Sequence, residues 1–142
     1  MSRSLLDVNV LIALMDPDHV AHERVHDWAA GGLEDGWATC ALTQNGFVRV
    51  ISQPRYPSPV PVAAAVEVLA GATADPRHEF WTCEIELTDA SITSSRLVGH
   101  RQITDVYLLA LAVAQQGSLV TLDGRIDLTT VDGADDRNLV VL

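Results

Sequence analysis

With 142 residues, 48% of them hydrophobic, and a formal net charge of −10, the chain is long enough to bury one substantial core but holds no run of the roughly 18 apolar residues that a membrane span needs. An acidic balance of this size argues against a protein that holds nucleic acid by charge alone. All nine basic residues are arginine, which excludes P-loop, Schiff-base and receiver-type aspartyl-phosphate chemistry, each of which uses a lysine.

A single domain over residues 1–142 is expected. The chain runs almost at once into a first strand, Ser4 to Asn9, leaving no room for a secretory leader, so a cytoplasmic protein is expected. A short helix over Val10 to Met15 stops at Asp16-Pro17-Asp18, and a second, His19 to Ala30, is ended by Gly31-Gly32. Gly36 to Ala41 reads as a strand, and Thr43 as the cap of a helix running through Phe47 to Ile51. Four prolines between Pro54 and Pro61 dictate an extended loop, followed by a helix over Val62 to Ala72 and a strand over His78 to Thr82. Between Thr88 and His100 the pattern allows only short helical pieces near Ala90 and Ser95. A long helix from Asp105 to Gln116 ends at Gly117, a strand spans Ser118 to Leu122, and a last strand, Asn138 to Leu142, follows the polar segment Asp132 to Arg137. Alternating strands and helices predict an α/β three-layer sandwich with a mainly parallel central sheet. Cys40 and Cys83 form no CxxC pair and are expected to be core thiols.

Three aspartates stand where apolar runs give way to a helix or turn: Asp7 after Ser4-Leu5-Leu6, Asp105 before Val106 to Val113, and Asp123 after Leu119 to Leu122. In parallel α/β sheets functional groups gather beyond the carboxyl ends of the strands, so these acids are expected to meet. Clustered carboxylates repel and raise one another's pKa unless a cation neutralises them, and their hard oxygens suit Mg²⁺, with Mn²⁺ as a substitute. A bound divalent ion also reverses the local field, which lets an acidic site receive a phosphate. Each aspartate has a plainer reading beside that one. Asp7 is a good helix N-cap, Asp105 suits the first turn of a helix dipole, and Asp123-Gly124 is a turn signal. Asp127 is read as a solvated loop residue or an outer support of the site, and Asn9 as a support or a local backbone partner.

Four pieces in order, LLDVNVLIAL (Leu5 to Leu14), TQNGFVRV (Thr43 to Val50), TDVYLLALA (Thr104 to Ala112) and LVTLD (Leu119 to Asp123), make the chain resemble PIN-domain ribonucleases of the VapC toxin type across nearly its whole length. The resemblance implies a metal-dependent endoribonuclease acting on RNA, with Asp7, Asp105 and Asp123 as metal ligands. It also implies a cognate antitoxin that blocks the site, and a homodimer. Members of that family commonly carry a glutamate where this chain has Gln44. A glutamine carbonyl can line the site and meet a cation, but it brings no charge and cannot act as a general base. Gln44 therefore motivates a rival reading, a catalytically impaired domain that serves as an antitoxin-binding regulatory protein. A structure-specific DNA nuclease would be expected to carry a larger acidic cluster and a DNA-binding extension.

His19, His22 and His26 share a helical face and invite a zinc reading, against which stands ordinary amphipathic packing with Trp28. Trp28, Trp37 and Trp81 are expected in the core or at an interface, Arg49 on a packed helix, and Arg55 in the proline loop within reach of RNA phosphate.

Overall fold

The computed structural model describes residues 2–142. β1 (Ser4–Leu6) is buried throughout and ends where the Asp7 side chain accepts the Val8 N–H and starts α1 (Val8–Met15). The cap makes the first strand shorter than expected and starts the helix two residues before Val10. α2 (His22–Gly32) begins after His19 and carries both Gly31 and Gly32, so this diglycine lies inside the helix it was expected to end. β2 (Trp37–Cys40) runs into α3 (Ala41–Ile51), where Thr43 sits one turn inside the helix and closes a reciprocal cap with Cys40. The proline loop leads to α4 (Val62–Thr73) and β3 (His78–Trp81). Ser94–Arg96 and His100–Gln102 form single 3-10 turns, and the second feeds α5 (Ile103–Ala114), which therefore starts two residues before Asp105. β4 (Ser118–Thr121) and β5 (Leu139–Val141) complete the sheet, with a 3-10 turn over Asp136–Asn138 entering β5.

The five strands pair in the order β3-β2-β1-β4-β5, every pair parallel. The α/β sandwich with a parallel central sheet is thus observed. From β1 the chain winds outward through β2 to β3, then returns across the sheet to β4 and β5. Right-handed crossovers make that reversal switch faces. Leu6, Trp37 and Val120 accordingly pack with Val10, Val25, Phe47 and Ala65 of α1 to α4, whereas Leu5, Ala38 and Leu119 pack under Leu108, Leu109 and Leu111 of α5. α5 is buried continuously from Val106 to Ala112, as befits a helix apolar on all sides. The reversal leaves a switch point between β1 and β4, the crevice where α/β sheets bind ligands.

Candidate active site

At the carboxyl end of β1, Asp7 is 6% exposed and its two carboxylate oxygens each have one donor. Oδ1 accepts from Val8 N at 2.7 Å and Oδ2 from the Thr121 hydroxyl at 2.7 Å. The cap reading and the site reading of Asp7 are therefore one structural fact. Thr121, wholly buried at the end of β4, also accepts from the Asp123 N–H at 3.1 Å and from Asn9 Nδ2 at 3.4 Å. Asn9 Oδ1 accepts from Leu122 N at 3.2 Å, so Asn9 ties the start of α1 to the end of β4. Neither Thr121 nor Arg125 stands out in the sequence. The only sign of Thr121 is a hydroxyl in an otherwise apolar strand, and that of Arg125 is an arginine two residues after an aspartate.

Across the switch point, Asp105 and Asp123 line one cleft of about 200 Å³ together with Arg101, Arg125 and Asp127. Burial, reinforced by the charges of Asp7 and Asp123, raises the Asp105 carboxyl to about 6. Burial also raises Asp7, opposed by its hydrogen bonds from Thr121 and Val8. Asp123 is lowered instead, because Arg125 Nε reaches Oδ1 at 3.0 Å and Nη2 reaches Oδ2 at 3.1 Å. The three sequence-distant aspartates thus lie within electrostatic reach of one another at the expected edge.

The donor chemistry fits a hard divalent cation. Asp105 and Asp123 share the cleft and Asp7 lies within electrostatic reach of both; Asp7 and Asp105 are pushed toward their protonated forms, and neither forms an ion pair among the described residues. Asp123, by contrast, faces an arginine. Among the described residues no three His, Cys, Asp or Glu side chains are gathered closely enough to hold an ion in this arrangement.

Gln44, in the first turn of α3, points its amide elsewhere. Its Nε2 donates to the buried Thr39 hydroxyl at 3.0 Å, and Thr39 in turn meets His78 Nε2 at 2.8 Å. No hydrogen bond joins Gln44 to any of the three aspartates among the described residues. Asp127 is exposed and caps the turn Leu128–Thr130 through Thr129 N at 2.9 Å, while also lining the cleft.

The histidine trio is spoken for by backbone groups. His19 precedes α2 and accepts from Ala21 N, His22 Nδ1 meets Ala13 O at 2.7 Å, and His26 Nε2 meets Leu14 O at 3.2 Å. Trp37 and Trp81 are core residues and Trp28 is partly buried; Arg49 and Arg55 are exposed. Cys40 is buried, but Cys83 is exposed, because it falls just past the end of β3.

A PIN domain is matched over residues 4–131, and the chain belongs to the PIN-domain family. It is 57% identical over 141 residues, 99% of both chains, to Ribonuclease VapC44 of Mycobacterium tuberculosis, and 41% identical over 121 residues, 84% of both, to Ribonuclease VapC38 of the same organism. Its fold is similar, at a TM-score of 0.62 and 12% identity, to a chain in the crystal structure of VapBC2 from Rickettsia felis bound to a DNA fragment from their promoter. That match covers 98% of this chain and 96% of the other. No helix among the described residues is long and apolar enough to cross a membrane.

Proposed function

We propose that this chain is a metal-dependent endoribonuclease, the toxin of a toxin–antitoxin pair, working as a single-domain cytoplasmic protein on RNA. The observation that carries the reading is that Asp7, Asp105 and Asp123 lie within electrostatic reach of one another beside the β1/β4 switch point, in a chain 57% identical to a protein named as a ribonuclease. Asp7, Asp105 and Asp123 would hold the ion. Mg²⁺, or Mn²⁺ in its place, supplies when bound a positive field in an acidic cleft and a lowered pKa for water.

The chain's own residues do the rest. Thr121 and the Val8 N–H fix the Asp7 carboxylate in one orientation. Asp105, raised to about 6 by burial and by the charges of Asp7 and Asp123 when no cation is present, gains a counter-charge from an ion held beside it. Arg101 and Arg125 place two guanidinium groups on the cleft wall, where an RNA phosphate would enter. The antitoxin would block this acidic cleft with an arginine-bearing segment. A homodimer is favoured by α4, whose Val62, Val66 and Val68 are exposed on a helix with a single charged residue, Glu67.

The deciding experiment is cleavage of total cellular RNA by antitoxin-free protein titrated with Mg²⁺ and Mn²⁺, alongside Asp7→Asn. Metal-dependent cutting that disappears in the variant is expected, and cutting that survives it would overturn the assignment. The orientation of Gln44 toward Thr39 favours one alternative, a catalytically impaired PIN domain acting as an antitoxin-binding regulatory protein. That alternative predicts no cutting by the native chain at any metal concentration, activity in Gln44→Glu, and undiminished antitoxin binding.

A further inference from the structure

Asp75, Asp123 and Asp135 each stand two residues before an arginine, and in all three the carboxylate accepts both the guanidinium and the backbone N–H of that arginine. For Asp123 the backbone bond is 3.0 Å and the two guanidinium bonds are 3.0 and 3.1 Å. For Asp135 the corresponding bonds are 2.9, 3.1 and 2.6 Å. The pair is therefore a product of the local turn, built wherever this spacing occurs. What sets Asp123 apart is its surroundings, because it alone of the three lines the cleft with Asp105 and lies within electrostatic reach of Asp7.

We infer that Arg125 is a built-in competitor of the divalent cation: its guanidinium neutralises Asp123 in the metal-free protein and must leave before that carboxylate can join Asp7 and Asp105 around an ion. The inference rests on the metal-dependent reading above. Both Asp123 oxygens are engaged in the fork of the guanidinium, which leaves the carboxylate without a free charge to offer. The Arg125 side chain is 87% exposed, so it can swing into solvent without opening the core. An exposed pair of this kind is weak, and displacing it lowers cation affinity by roughly two- to fivefold. Removing the guanidinium also removes a like charge from beside the cation, which acts in the same direction.

The test is Mn²⁺ binding to metal-stripped protein, followed by the electron paramagnetic resonance of free Mn²⁺ and by calorimetry at fixed ionic strength. Arg125→Ala and Arg125→Gln are compared with Arg137→Ala, which dissolves the twin pair outside the cleft. Both Arg125 variants are expected to bind Mn²⁺ roughly two- to fivefold more tightly than the native chain, with Arg137→Ala unchanged. Measurable binding by the native chain, with equal or weaker binding in the Arg125 variants, overturns the competitor role while leaving the metal site standing. Absence of Mn²⁺ binding in every protein overturns both.

Discussion

One hydroxyl, that of Thr121, uses its whole hydrogen-bonding capacity on the site: it donates to Asp7 and accepts from the Asp123 N–H and from Asn9. Thr121→Val keeps the shape but strips a donor from a buried carboxylate and leaves a backbone N–H unpaired. It is expected to cost about 1–3 kcal/mol in urea unfolding. Because the Thr121 bond also lowers Asp7's pKa, its loss moves Asp7 further toward the protonated form. Metal-dependent RNA cleavage should therefore fall in Thr121→Val and be largely kept in Thr121→Ser. A loss in Thr121→Ser as large as in Thr121→Val would mean that the hydroxyl bonds are not what the site depends on. The three aspartates are legible in the sequence because each interrupts an apolar run. Thr121 is not, since a threonine in LVTL is an ordinary β-branched strand residue and its key partner lies 114 residues away.

At the scale of elements, two of the sequence pieces that carry the family resemblance turn out to touch. A Cβ built on Gly46 of α3 would fall 2.5 Å from Val8 Cγ2, one residue past Asp7, so α3 can lie against the start of α1 only while position 46 has no side chain. Alanine improves helix propensity by about 1 kcal/mol, yet the opposing valine is stiff at χ1 and held in a capped first turn. Gly46→Ala is expected to destabilise by about 1–2 kcal/mol net. Adding Val8→Ala should recover part of that loss, giving a favourable coupling in a double-mutant cycle. Purely additive effects would mean that α3 has simply moved away. Element order and type are readable from periodicity, whereas boundaries are decided by contacts the sequence does not display. Asp7's cap starts α1 early, and the 3-10 turn over His100–Gln102 feeds α5 before Asp105. α2 continues through Gly32, whose missing Cβ is filled by the Trp28 ring. The expectation of a core Cys83 fails because β3 is an edge strand that ends at Trp81, which leaves Cys83 exposed just beyond it.

For the molecule as a whole, the strand order explains why acids far apart in sequence converge, and burial together with their mutual repulsion explains why that convergence carries a cost. Folding buries Asp105 and brings it near Asp7 and Asp123, and so raises its carboxyl from 3.8 to about 6. A carboxyl whose folded pKa is raised contributes stability that is complete below its unfolded value and is lost as pH rises through the folded value. Asp105→Asn removes that dependence. In metal-free buffer the variant should gain on the native chain as pH rises from about 4 to about 6, then hold a constant advantage of about 1–2 kcal/mol, reduced from the full shift because the group is partly solvent-facing. Asp16, Asp127 and Asp135, whose pKa values are lowered by their hydrogen bonds, lose stability in the opposite direction, toward low pH. They do so in both proteins and drop out of the comparison. Mn²⁺ should then reverse the order: at 100 times its Kd it adds about 2.7 kcal/mol to the native chain and less to a variant lacking one ligand. Urea unfolding across the pH series, with and without Mn²⁺, reads both effects. A stability difference that is flat with pH would mean that Asp105 titrates as an ordinary solvated carboxylate, and the electrostatic reason for a cation between these strands would be gone.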